Sequence, residues 1–269
     1  LPANRAYQLV SSQGFRTFIK IKDKNKHIFH EAFVSPQANG SLSVEQKMSI
    51  SPHELRIQES IPAKGLIIEV TYFTIPGESF AALAREVSFK NTSREDLTLE
   101  VLDGSPIIMP YGANNFFLQK MRRTIEAWMV VENVQKKAPF YRLKVDPKDI
   151  SEVTFIDEGN FYLASLNKEE KNNLLPVVVD PELIFGQLSD FSYPVNFADI
   201  ARFKVPSAQM AQNKIACAMS HSSFKIKKAE TISLYSLIGH MDSKEKLNSL
   251  IPKLSRPKFF IDKAQQNKA

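Results

Sequence analysis

Glycine is scarce in this chain, with nine among 269 residues, where average usage would supply roughly 7%. The nearest two, Gly104 and Gly112, lie eight positions apart. That spacing excludes a glycine-rich dinucleotide fingerprint and a phosphate-cradling P-loop. Cysteine is scarcer still. The single Cys217 excludes an intrachain disulfide and a thiolate metal cluster. Its neighbours Ala216 and Ala218 make it a buried, inert thiol rather than a nucleophile. Long apolar runs are missing too: Val177-Val178-Val179 is typical, far short of a bilayer-spanning helix. Hydrophobic residues at 43% and charged residues at 24% nonetheless exclude a mainly disordered chain.

A net charge of +6 could suggest a nucleic-acid partner, but its distribution argues otherwise. Residues 241–269 hold seven basic and three acidic side chains and carry +4 of the total. The body is close to neutral, without the excess a phosphate-binding face needs. Neither nucleic acid nor membrane is expected as a partner. The lack of cystine points to a reducing, cytoplasmic setting. The chain begins at Leu1 and not at methionine, which is compatible with removal of a leader.

What is present is alternation. Leu42, Val44, Gln46, Met48 and Ile50 face one way and Ser43, Glu45, Lys47 and Ser49 the other, as on a half-buried antiparallel strand. Similar strands are read at 55–57, 66–73, 83–89, 97–101, 125–131, 140–145, 160–166, 214–219 and 231–238. Turn signals separate them at Lys24-Asn25-Lys26, Asn39-Gly40, Pro76-Gly77, Asn91-Thr92-Ser93, Asp103-Gly104 and Glu158-Gly159. Many short strands without a helical period between them predict an all-β fold, a large antiparallel β-sandwich over 1–241. At 242–269 the period changes. Asp242 and Glu245 form a capping box before Leu247, Leu250 and Ile251, Pro252 interrupts, and a second helix starts at Pro257. It reaches the last residue without a stop signal, as expected of a helical linker that leads into a longer protein.

Candidate chemistry is thin. His27 and His30 have a helical metal-ligand spacing but fall on a strand, where residues three apart point to opposite faces. His53, His221 and His240 have no ligand spacing, and no metal site is predicted. Ser220-His221-Ser222-Ser223 reads as a polar turn, and Lys20, Lys22, Lys24 and Lys26 as a solvated, lysine-guarded edge. Asp157-Glu158 and Asp180 read as turn carboxylates rather than the spaced pair a glycosidase needs. The richest stretch is 100–123, with Asp103, Tyr111, Asn114, Arg122 and Arg123 in one long connection, a kind that more often carries function than a short one. Tyr111 can stack on a sugar face, the carboxylate and amide can bond its hydroxyls, and the arginines can meet an anion.

These blocks together resemble a known family. Arg85-Glu86-Val87, Asn91-Thr92-Ser93, Leu99-Glu100-Val101-Leu102-Asp103-Gly104 and Pro110-Tyr111-Gly112 resemble the N-terminal domain of glycoside hydrolase family 94 phosphorylases. Ala138-Pro139-Phe140-Tyr141, Gly159-Asn160-Phe161-Tyr162, Val179-Asp180-Pro181 and Phe185-Gly186 extend the likeness over most of 65–240, nearest the β-1,2-oligoglucan phosphorylase branch. The resemblance implies a β-supersandwich, a helical linker, an (α/α)6 barrel and a small C-terminal β-domain. It also implies inverting phosphorolysis of β-glucosides to α-glucose 1-phosphate. Inorganic phosphate is then the nucleophile and co-substrate, and the single catalytic acid belongs to the barrel. No catalytic residue and no cofactor carries over to these 269 residues. The implied partners are the barrel of the same polypeptide and a β-glucan oligosaccharide. Asp103, Tyr111, Asn114, Arg122 and Arg123 would form the loop that touches barrel or substrate. The alternative is a free-standing carbohydrate-binding sandwich.

Overall fold

The computed structural model describes residues 10–23, 26–34, 42–113, 120–147, 151–167 and 173–268. Two antiparallel sheets face each other. The five-stranded sheet runs in the order β11 (Val177–Val178), β12 (Ala216–Ile226), β7 (Leu97–Ile108), β1 (Arg16–Asp23) and β2 (Lys26–Ala32). The eight-stranded sheet runs β3 (Glu45–Ile50), β4 (Leu55–Ile61), β5 (Leu66–Thr74), β6 (Ala82–Asn91), β13 (Thr231–Met241), β10 (Gly159–Leu166), β9 (Phe140–Leu143) and β8 (Met129–Glu132). The fold is the all-β sandwich that the alternation predicts, preceded by a one-turn helix α1 (Val10–Gln13).

Between the sheets, Ile19, Ile21, Leu99 and Val101 pack against Leu66, Ile68, Val87, Phe89 and Tyr162. Both outer faces are covered as well. On the five-stranded sheet, Phe18, Leu102, Cys217 and Met219 lie under Phe185, Phe197 and Phe203, carried by the segment 182–203 with its one-turn helices α3 (Glu182–Phe185) and α4 (Val195–Ala198). On the eight-stranded sheet, Phe73, Phe161, Tyr235 and Leu237 meet Leu247, Leu254, Phe259 and Phe260 of the helices α5 (Lys244–Leu254) and α6 (Pro257–Lys268). The cap of α5 is Ser243, whose Oγ accepts from the Lys246 N–H at 3.2 Å, not Asp242. Pro252 sits inside α5 without ending it.

Several local expectations are overturned. The 125–131 stretch is mostly helix, α2 (Arg122–Trp128), and only then strand β8. All six residues of β3 are exposed, because among the described residues β3 is the outermost strand of the wider sheet. His221 and its serines lie within strand β12 beside the central β7 rather than in a turn. His27 and His30 do point to opposite sides of β2: His27 is exposed, and His30 is buried on Glu59 at 2.5 Å. The lysine ladder divides: Lys22 is exposed, Lys26 is exposed on the edge strand β2, and Lys24 lies outside the described residues. Lys20, by contrast, sits on β1, which is flanked by β2 and β7. Lys20 is 1% exposed, with its Nζ 2.6 Å from Glu100 Oε2, 2.8 Å from the Ile200 carbonyl, and 4.5 Å from the centre of the Phe197 ring.

Glu100 also accepts from the Phe203 N–H at 2.8 Å and from His221 Nε2 at 2.9 Å. Burial pushes its carboxyl up, but the His221 and Lys20 bonds prevail and hold it below the ordinary value of 4.5. A carboxyl lowered by folding adds stability above its unfolded pKa and loses it as pH falls through the folded one. Melting temperature should therefore drop on acidification below about pH 4.5. Glu100→Gln should flatten part of that drop. An unchanged acid limb in this variant would remove Glu100 from the linkage.

Candidate functional site

One end of the sandwich opens into a cleft of about 690 Å³, lined by Met109, Tyr111, Asp146, Phe155, Asp157 and Glu158 among others. The sequence builds it where β7 leaves its sheet. Pro110 and Tyr111 carry the chain across to the other sheet. There the Tyr111 N–H donates to the Tyr141 carbonyl at 3.1 Å, and the Leu143 N–H donates to the Tyr111 carbonyl at 2.8 Å. This parallel bridge to β9 fixes the Tyr111 backbone. Its ring lies on the His240 imidazole at 4.6 Å and 31°. Glu158 Oε2 is 3.0 Å from His240 Nε2 and also takes the Tyr111 hydroxyl. That bond, more than partial burial, raises the Tyr111 phenol above its ordinary pKa. Asn160 Nδ2 donates to the Met109 carbonyl at 2.8 Å and closes the rim.

The cleft mixes apolar and polar groups. Phe155 and Val153 are 74% and 71% exposed, and Asp157 and Glu158 stand at the surface beside them. Aromatic faces next to carboxylates and an amide suit a polyhydroxylated ligand, with apolar ring faces stacked and hydroxyls donating to oxygens. The arrangement offers contacts to the ring faces and hydroxyls of such a ligand. Glu158 is already engaged by His240 and Tyr111. Burial lifts the Cys217 thiol well above its ordinary pKa, so it is no nucleophile. No group of three or more potential metal ligands occurs among the described residues. No helix among them is long and apolar enough to cross a membrane.

A second cleft of about 940 Å³ lies at the opposite end of β7, by Lys22, Lys64, Arg94 and Asp96. Its charges offset one another, as in Lys64 with Asp23 at 2.8 Å, and no aromatic ring lines it.

The predicted site residues do not form one loop. Asp103 is the main correction: it lies inside strand β7, is 0% exposed, and is ion-paired with Arg85. It cannot reach a ligand. Tyr111 is on the cleft. Asn114 lies outside the described residues. Arg122 and Arg123 belong to α2, where Arg123 is exposed. The sequence reading missed His240 and Phe155 and passed over Glu158 as a turn residue. An exposed aromatic two residues before paired carboxylates was the available signal for Phe155. His240 gave none.

No protein-family model matches the sequence, and no curated protein matches it. Among solved structures, the chain is similar to a polysaccharide lyase with a TM-score of 0.44 and 12% identity, over 88% of this chain and 27% of that one. It is also similar to a protein described as a kojibiose phosphorylase from the human microbiome, with a TM-score of 0.41 and 9% identity, over 93% of this chain and 26% of that one. The chain spans about a quarter of the length of each.

Proposed function

We propose that this chain is a non-catalytic β-sandwich module of a carbohydrate-active enzyme of the glycoside phosphorylase type, related to glycoside hydrolase family 94. The cleft end is turned towards the catalytic (α/α)6 barrel of the same polypeptide and the β-glucan held there. The cleft carries this reading: Tyr111 and Phe155 provide ring faces, and Asp157, Glu158 and Asn160 stand beside them. The blocks that resemble the family support it at the level of architecture. Arg85, Asp103, Tyr141 and Tyr162 are buried between the sheets, and Pro110-Tyr111-Gly112 forms the cleft rim. The chemistry, with inorganic phosphate as nucleophile and one carboxylic acid, then belongs to the barrel. A cytoplasmic setting with a reduced Cys217 accords with this reading. Because the cleft is open in the chain itself, the second reading is a carbohydrate-binding sandwich that acts alone.

The purified chain is expected to be inert towards β-1,2-linked glucose oligosaccharides with or without phosphate. Release of glucose 1-phosphate would refute a non-catalytic role. Titration calorimetry with the same oligosaccharides separates the two readings. Measurable affinity of the chain alone favours the independent binder, whereas binding only in the longer enzyme favours the module. In either case Tyr111→Ala should lose about 1–3 kcal/mol of binding, the worth of a large apolar face leaving water. Loss of the His240 contact should cost the fold only about 1 kcal/mol. A variant that binds and reacts like the parent would take the cleft out of consideration.

A further inference from the structure

Residues 42–50 read as a chemical palindrome about Gln46. Leu42 mirrors Ile50, Ser43 mirrors Ser49, Val44 mirrors Met48, and Glu45 mirrors Lys47. When two identical strands pair antiparallel about a twofold axis at the central residue, each residue faces its mirror position. Aliphatic then meets aliphatic, serine meets serine, and each glutamate meets a lysine, pairings that stabilise a sheet.

Among the described residues, the structure places this strand at a sheet edge. β3 is outermost in the eight-stranded sheet, and among the described residues its backbone pairs with β4 alone. Met48 and Ile50 are 62% and 74% exposed, yet they lie on the core side of the sheet. Gln46, on the same face, donates from Nε2 to the buried Glu59 Oε2 at 2.7 Å. Leu42 and Val44 already pack against the edge of the main core. An edge with apolar side chains on its core-side face is one that soluble proteins normally cover or charge. Here both charges are complementary to the strand itself.

We infer that β3 is a self-association edge: it pairs antiparallel with β3 of a second copy, centred on Gln46, and joins two eight-stranded sheets into one. The pairing sets Glu45 against the partner's Lys47 twice, and lines Val44, Met48 and Ile50 of both copies along the core-side face.

Sedimentation velocity on the whole chain tests this. At about 100 µM, where even weak pairing is populated, a species of twice 30.5 kDa is expected, dissociating on dilution. Lys47→Glu places like charges opposite each other twice, and should raise the dimer dissociation constant roughly tenfold or more. Both positions are exposed, so circular dichroism and melting of the monomer should be unchanged. Combining Glu45→Lys with Lys47→Glu swaps the charges and should restore the dimer. A monomer at that concentration, a dimer indifferent to Lys47→Glu, or a double variant no better than the single one would each overturn the inference.

Discussion

Asp103→Ala is expected to remove about 3–5 kcal/mol of stability, a large part of the roughly 5–15 kcal/mol a domain possesses. Between the sheets, Arg85 Nη1 lies 2.5 Å from both Asp103 carboxylate oxygens, with 1% and 0% of the two side chains exposed. Nη2 donates to Thr17 Oγ1 at 2.8 Å, Nε donates to the Tyr72 hydroxyl at 3.0 Å, and Thr17 Oγ1 donates to Asp103 Oδ1 at 2.8 Å. The Phe15 ring lies 5.2 Å from the guanidinium. Burial works against the charged guanidinium, but the Asp103 carboxylate outweighs it and raises the Arg85 pKa above its ordinary value. A guanidinium does not lose its proton in proteins, so Arg85 stays charged when Asp103 is replaced. Alanine at 103 strands that charge in the core, and stranding a charge costs more than an intact pair contributes. Urea unfolding should show the loss directly. Removing both charges, with Arg85→Met and Asp103→Leu together, should cost less than Asp103→Ala alone. A double variant worse than the single one would mean that the pair stabilises the fold outright. A single variant within about 0.5 kcal/mol of the parent, the scale of surface changes, would mean that water reaches the site.

The same residues show what could be read in advance. Alternation and turn signals are local, and they located β5, β6, β10 and β13 and both terminal helices, with errors of a few residues. They failed where a strand is buried on both faces. Positions 99–106 of β7 are buried without a break, so no period of two marks Asp103 and Gly104 as strand, and Asp-Gly reads as a turn. Long-range partners are invisible to local pattern. Lys20 resembled a solvated edge because Glu100 lies 80 positions away, and Asp103 resembled a loop carboxylate because Arg85 is on the other sheet. At the cleft, Tyr111 was legible as an aromatic between proline and glycine. His240 and Glu158 were not, since only the crossing of the chain between sheets brings them to its ring.

Gly104 provides the second large effect. A Cβ there would lie 1.9 Å from the Ala218 carbonyl oxygen, 2.9 Å from its carbon and 3.0 Å from Met219 Cα. All three are backbone atoms of β12, the strand that pairs with β7 and slips its register between Ala216 and Ala218. β7 is held on its other side by β1, so neither neighbour can retreat without breaking a ladder in the middle of the sheet. The φ of +150° is itself one that L side chains rarely adopt. Gly104→Ala should therefore cost about 3 kcal/mol or more, combining backbone strain with a main-chain clash. At roughly 2–4 °C per kcal/mol for a chain of this size, that lowers the melting temperature by about 6 °C at least. Gly77 is the control. It also has a positive φ, +65°, but a Cβ there meets only Lys263 Nζ at 3.8 Å. Gly77→Ala should cost about 1 kcal/mol from strain alone. If Asp103-Gly104 were an ordinary surface turn, the two alanine variants would melt alike. A large gap between them is the signature of a glycine required by the close approach of β7 and β12.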